Sequence, residues 1–220
     1  MPRTKRNKSF RRILITAGPT REMLDPVRFI TNLSTGEMGY AIAREAKRRG
    51  YQVTLISGPT ALRPPQGIGF IPIVTVEDLS RALQKHFFES DVLIMAAAVG
   101  DFIPVKRALQ KIHRQKRWKV EFREAPDLLK GVARQKRDRL AIGFSLETEN
   151  WLERSREKLE KKNLDGIVAN FYTPRHNPFG QTTARVALID RRKAQEIRLP
   201  SKAALAKRLL DWIERLKKYY

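Results

Sequence analysis

The chain has 220 residues, no cysteine and 41% hydrophobic content. That is enough to bury a real core, and it excludes a disulfide scaffold, a thiolate nucleophile and a Cys-type zinc site. Lys and Arg number 45 against 23 Asp and Glu, net +22, and without the opening MPRTKRNKSFRR they still number 39 against 23.

That opening is read as a flexible basic tail over residues 1–12, ahead of a single domain over 13–220. It lacks the apolar stretch of a secretory signal, and no apolar run approaches the roughly 18–20 residues that cross a bilayer, so a soluble cytoplasmic protein is expected. The first apolar run, Ile13-Leu14-Ile15, breaks at Gly18-Pro19, and a helix pattern starts near Glu37. Strand, loop and helix start in this order put free backbone N–H groups in front of an anion. The loop carries Thr16, Gly18, Thr20, Asn32, Ser34, Thr35 and Gly36, small enough to admit a phosphate to the main chain. Neither G-x-G-x-x-G nor G-x-x-x-x-G-K-[ST] is present, so an ordinary connection stays open as the other reading.

Strands are predicted over 12–17, 52–57, 70–75, 92–98, 140–144 and 166–170. Several are continuous apolar runs, as strands buried on both faces of a parallel sheet should be. Helical patterns fill the gaps over 37–49, 76–88, 125–135 and 150–163, with Gly50 placed to end the first. The alternation predicts a Rossmann-like, doubly wound, mostly parallel α/β sheet. Two further strands, 186–190 and 196–199, flank Arg191-Arg192-Lys193 as an edge hairpin. Ser201 then caps a closing helix through Lys218, whose apolar face (Leu205, Leu209, Trp212, Ile213, Leu216) reads as core. Residues 100–123 interrupt the alternation as a charged insertion, with strand-like alternation over 117–123, and are read as a flap or dimer arm. From Lys106 to Arg139 there are 13 Lys and Arg against four acids.

In an open parallel sheet, ligands sit beyond the carboxyl ends of the strands. Small residues end three of these, including Ala96 and Ala97, and the next turn presents Asp101, an acceptor for a ribose hydroxyl, a ligand for Mg²⁺, or simply a turn acid. Lys111 is either a flap lysine closing over phosphates or a solvated one. Lys158 and Lys162, with Arg154, form a cationic stripe on one helix face, while Glu157 pairs with Lys161. A solvated face is the alternative for the stripe. His86, His113 and His176 lack metal-ligand spacing, and no G-x-S-x-G signature occurs. Catalysis, where present, works by positioning and charge in a cationic pocket rather than through a covalent nucleophile.

The run ITAGPTREMLDPVRFITNLSTGEMG closely resembles the opening of the phosphopantothenoylcysteine synthetases, the phosphopantothenate–cysteine ligases of coenzyme A biosynthesis. The resemblance continues through VTLISGP at 53–59, AAAVGDF at 96–102, EAPDLL at 124–129, GFSLET at 143–148 and KNLDGIVAN at 162–170. It implies that 4′-phosphopantothenate is activated by CTP with Mg²⁺ to an acyl-cytidylate and pyrophosphate, and that cysteine then displaces CMP. By position, Asn32 matches the asparagine supporting the second half-reaction and Lys111 the flap lysine supporting the first. Family nucleotide contacts fall on the Ala96 and Ala97 backbone, read as facing a pyrimidine edge, and on Asp101, Pro126, Asp127, Leu128, Leu129, Phe144, Lys158 and Lys162. The flap motif departs from Lys-x-Lys-Lys: here it is Lys111-Ile112-His113-Arg114, and no role passes to the last two. The resemblance also implies a homodimer, with the Asn32 loop and the flap near the partner, and a stand-alone synthetase with no flavin. The same ligation with ATP is the first alternative. A basic nucleic-acid-binding module is the second, weakened by a basic segment whose aromatics are few besides Trp118 and Phe122, so that specific nucleic acid and membrane partners are not expected.

Overall fold

The computed structural model describes residues 11–114, 116–179 and 184–217. Residues 1–10 of the expected tail and the end of the closing helix at Lys218 lie outside them, while Arg11 and Arg12 both donate from the main chain to Asp91 Oδ2 at 2.9 Å.

The chain runs β1 (Arg12–Ala17), β2 (Arg21–Met23), β3 (Phe29–Thr31), α1 (Glu37–Arg48), β4 (Gln52–Ser57), β5 (Gly69–Pro72), α2 (Val76–His86), β6 (Val92–Met95), β7 (Phe102–Pro104) and β8 (Phe122–Glu124). It continues through α3 (Leu128–Arg134), β9 (Leu140–Glu147), α4 (Trp151–Lys161), β10 (Gly166–Phe171), β11 (Ala184–Ile189), β12 (Ala194–Leu199) and α5 (Lys202–Leu216). The main sheet has eight strands in the order β12-β11-β10-β9-β6-β1-β4-β5. Pairing is parallel from β5 across to β10 and antiparallel at β11 and β12.

Alternate residues of β1 feed opposite faces, which is why its apolar run is unbroken. Ile13 and Ile15 pack with α1 and α5 on one side, and Leu14 packs with α2, α3 and α4 on the other. The order reverses at β1: the chain first adds β4 and β5 on one side, then returns to place β6 on the other. Such a reversal opens a crevice at the carboxyl ends of the strands.

Several predicted boundaries move, each for a local reason. Strand β5 stops at Pro72 because Val74 and Thr75 serve α2: both main-chain N–H groups donate to Asp78, and the Thr75 hydroxyl accepts from Asp78 N in a capping box. Helix α3 starts at Leu128 rather than 125, since Pro126 restrains Ala125 and the Asp127 side chain caps Lys130 N at 3.0 Å. Strand β6 ends at Met95, after which the chain leans on β1 through Ala96 N–Thr16 O, Ala97 N–Thr16 Oγ1 and Ala98 N–Gly18 O. Of the strand expected over 117–123, only its end is strand, in β8 (Phe122–Glu124), which pairs antiparallel with β7 (Phe102–Pro104) at the start of the insertion. The β2–β3 hairpin was not predicted. No helix among the described residues is long and apolar enough to cross a membrane.

Candidate functional site

A cavity of about 690 Å³ lies over the carboxyl ends of β6, β9 and β10. Residues 95–101 form one side, Phe144 of β9 (which runs on to Glu147, past the predicted end at 144) and Asn170 of β10 another, and the first turn of α1 the base. That turn comes close to the sheet because Gly39 lacks a side chain: a Cβ there would lie 2.5 Å from Ala17 Cβ. Helix α1 begins with Gly36 in the left-handed region (φ 79°) and no side-chain cap from that residue; Glu37 N donates to Thr35 Oγ1 at 3.4 Å, and the Met38 and Gly39 N–H groups with the positive dipole end face a ligand.

Most predicted site residues converge here. Asn32, Ser34, Gly36, Ala96, Ala97 and Asp101 line the cavity. So do Pro126, Asp127, Leu128, Leu129 and Phe144, with Lys158 from α4 and Lys162 just after it. Two do not. Gly18 lies behind the wall: its φ of 70° and the 2.9 Å that would separate a Cβ from Gly58 O give it a turn role. Lys111 is exposed on the insertion and does not line the cavity.

The Asn32 amide spans the crevice, donating from Nδ2 to Ala98 O at 3.3 Å and Val99 O at 3.1 Å. Two carbonyl acceptors fix which end of the amide is nitrogen. Its N–H groups are thereby engaged with the main chain. The N–H groups of Ala96 and Ala97 are likewise engaged with Thr16.

The electrostatics correct two expectations. The α4 stripe is not unpaired: Lys158 meets Glu147 at 2.5 Å, Lys162 meets Asp127 at 3.0 Å and Arg154 meets Glu149 at 2.6 Å. Its partners come from the end of β9, the loop before α3 and the turn before α4; Glu147 and Asp127 lie outside the helix and its i,i+4 spacing, and Glu149 precedes it. The expected Glu157–Lys161 pair is present at 2.7 Å. Nor is the cavity cationic overall. Lys158, Lys162, Arg185 and Lys202 line it, and so do Glu37, Asp101, Glu124 and Asp127. Four charges of each sign leave it balanced in a strongly basic chain.

Sequence reasoning missed Arg185, Lys202 and the loop carrying His176 and Phe179, which close the far end of the cavity. It also missed Asp25, fully buried in the β2–β3 turn. The Asp25 carboxylate accepts from Val27 N and Arg28 N at 2.8 Å, Arg28 Nη1 at 3.0 Å and Ile112 N at 3.2 Å. Burial works to raise its pKa, but these donors hold it below the ordinary value. Among the described residues no three His, Asp or Glu side chains converge to hold a metal, so Asp101 alone makes no preformed site.

A mostly parallel open sheet with its cavity at the order reversal, beside the N-terminus of α1, defines a Rossmann-like α/β domain. Within that class, the chain belongs to the DNA/pantothenate metabolism flavoprotein C-terminal domain family, whose model matches residues 9–216. It is 40% identical over 210 residues to the coenzyme A biosynthesis bifunctional protein CoaBC of Bacillus subtilis (strain 168), covering 94% of this chain and 52% of that protein. The chain thus spans about half the length of the curated relatives it matches. A crystal structure of the C-terminal domain of a CoaBC bifunctional protein is similar with a TM-score of 0.81 at 36% identity, covering 96% of this chain and 97% of that one. The DNA/pantothenate metabolism flavoprotein from Streptococcus pneumoniae gives 0.83 at 25% identity, covering 94% and 99%.

Proposed function

We propose that this domain is a phosphopantothenate–cysteine ligase of coenzyme A biosynthesis that uses CTP. The observation that carries the reading is the joining of the Asn32 amide to the Ala98 and Val99 carbonyls beside the α1 N-terminus, inside one cavity. The similarity to CoaBC over nearly the whole chain supports it.

In the first step, the 4′-phosphopantothenate carboxylate attacks the α-phosphorus of CTP and pyrophosphate leaves, giving an acyl-cytidylate. In the second, the cysteine amine attacks the acyl carbon, CMP leaves, and the amine gives up a proton to form the amide. No residue need bond covalently to either substrate. The first turn of α1 receives phosphate oxygens through its N–H groups and dipole. Asp101 receives the ribose hydroxyls. Lys158 and Lys162 release Glu147 and Asp127 in favour of the nucleotide. Asn32 turns an amide N–H from the main chain to the acyl oxygen as charge builds there. Lys111 reaches the phosphates by flap movement or from the partner protomer.

Mg²⁺, when bound with the nucleotide, would offset phosphate charge against the acids Glu37, Asp101, Glu124 and Asp127 that line the cavity. Among the described residues no cluster is preformed for a metal, so the ion would arrive with the triphosphate, and Asp101 is the residue we assign to hold it. The reading assigns no flavin to this domain.

The homodimer enters through the apolar surface beside the site. Leu33 is 78% exposed next to Asn32 and Leu109 is 91% exposed in the insertion; Val27, Phe29, Ile30 and Phe102, from the β2–β3 hairpin and β7, are exposed as well. An exposed apolar surface of this kind favours a protein partner.

The deciding measurement is pyrophosphate release with phosphopantothenate and either CTP or ATP, followed by cysteine-dependent formation of the amide. Release with CTP is expected. Turnover with ATP alone removes the CTP assignment, and release with neither removes the ligase.

A further inference from the structure

Helices α1 and α5 lie side by side and run parallel. At their carboxyl-terminal ends, Arg49, next after α1, pairs with Asp211 at 2.8 Å and Glu214 at 3.0 Å of α5. At their amino-terminal ends, Glu37 pairs with Lys202. Both helix starts therefore meet at one end of the cavity, and both Glu37 and Lys202 line it.

Lys202 is the first residue of its helix, behind the Ser201 cap. A cation at this position is opposed by the helix dipole, which favours acids at the first turn. Folding alone gives little reason for a lysine there. Its side chain is nevertheless largely buried, 19% exposed, and turned to Glu37 rather than to solvent. Lys202 thus resembles Lys158 and Lys162: each is a cavity lysine held by a carboxylate partner. Lys158 and Lys162 stand on the α4 side, whereas Lys202 stands beside the start of α1, where the phosphates are placed by the proposed function.

We propose that Lys202 is a ligand for the β- and γ-phosphates of the nucleoside triphosphate, exchanging the Glu37 carboxylate for phosphate oxygen when the nucleotide binds. The proposal rests on the ligase reading and extends it to the leaving group. Glu37 lies at the same helix start, so the arriving phosphates repel it as they attract Lys202. The exchange keeps the empty cavity neutral and makes the cation available to a polyanion. It also gives the site a preference for triphosphate over monophosphate, because Lys202 contacts the portion that departs as pyrophosphate.

Calorimetric titration of the dimer or monomer as purified, with CTP and with CMP in the presence of Mg²⁺ and without phosphopantothenate, tests this directly. Lys202→Met is expected to weaken CTP by about tenfold or more, the scale of one lost charge-assisted hydrogen bond, and to leave CMP within about twofold. Glu37→Gln, which frees Lys202, is expected to tighten CTP, and Lys202→Arg to retain the preference for CTP over CMP. A merely structural ion pair predicts instead that Lys202→Met and Glu37→Gln act in the same direction, since each breaks the same contact. That result, or equal loss of CTP and CMP affinity in Lys202→Met, overturns the proposal. If the parent protein binds CTP and the Lys202 variants bind it equally well, only Lys202 loses its role. If the parent binds neither CTP nor ATP, the ligase reading fails and this proposal with it.

Discussion

The Asp25 carboxylate accepts a hydrogen bond from the main-chain N–H of Ile112, 87 residues away, at 3.2 Å. The same carboxylate holds Arg28, whose Nη1 donates to Ile112 O at 3.0 Å and whose guanidinium lies 5.4 Å from the Trp118 ring centroid. Ala108 N adds a bond to Leu24 O. The β2–β3 turn is therefore a clasp for the insertion, gripping the residue next to Lys111.

Loosening the clasp should affect the step assigned to Lys111. Asp25→Asn removes the charge that holds Arg28 and is expected to slow pyrophosphate release by about 10–100-fold, the scale on which small misplacements of catalytic groups act. CMP binding should be unaffected, because Asp25 does not line the cavity. Since donors hold the folded pKa of Asp25 below its ordinary value, its stabilising contribution is full above that value and is lost as pH falls through the folded one. Pyrophosphate release at the parent rate in Asp25→Asn would detach the clasp from Lys111.

Asn32 acts later in the proposed sequence. An oxyanion donor is typically worth about 2.7–4 kcal/mol, so Asn32→Ala should slow amide formation by roughly 10²–10³ while pyrophosphate release persists. Rapid-quench separation of products should then reveal accumulating acyl-cytidylate. If amide and pyrophosphate instead fall in parallel, Asn32 serves the loop through Ala98 and Val99 and not the acyl oxygen.

The parts of this site legible in the sequence are those made by neighbours in the chain. Continuous apolar runs marked the parallel strands, and the small residues around Ser34 and Gly36 marked an anion-facing loop, because both signals are local. The β2–β3 hairpin was hidden because its three-residue strands are held from outside, by Arg21 N to Val74 O and Gly100 N to Thr20 Oγ1. The partners of Lys158, Lys162 and Lys202 were hidden for a similar reason: Glu147, Asp127 and Glu37 arrive from other elements. A count of charges gave a cationic pocket, whereas the fold balances it.

Base selection is assigned by the proposed function to the turn after β6. Because the Ala96 and Ala97 N–H groups are engaged with Thr16, a base recognised at this turn meets carbonyl acceptors. These suit the exocyclic amine shared by cytosine and adenine and repel the uracil carbonyl. A thermal-shift series with Mg²⁺ should rank CTP and ATP above UTP. Equal stabilisation by UTP would move base recognition elsewhere.

The apolar surface around Leu33 and Leu109 makes a separate prediction. Leu109→Asp places a charge where 91% of a large side chain is exposed, so it should cost the isolated fold little. Analytical ultracentrifugation is expected to show a dimer for the parent and a shift toward monomer for the variant. A parent that sediments as a monomer at tens of micromolar leaves that surface to another partner.

Glu22 ties the stability of the fold to pH. It is buried on β2, and its Oε1 accepts from Val76 N at the start of α2 at 2.8 Å. Burial raises its pKa above the ordinary 4.5; the Val76 N–H opposes this, and nearby Asp78 and Glu77 reinforce it. A carboxyl with a raised folded pKa binds its proton more tightly in the folded state than in the unfolded one. Its contribution is therefore fully present below about pH 4.5 and is lost as pH rises through the folded value. Glu22→Gln keeps an acceptor for Val76 N and cannot ionise. Its melting temperature should match that of the parent near pH 4 and exceed it near pH 7. A difference between the two proteins that stays constant across that interval would show that ionisation of Glu22 does not oppose the fold, and that the hydrogen bond to α2 outweighs the burial of its charge.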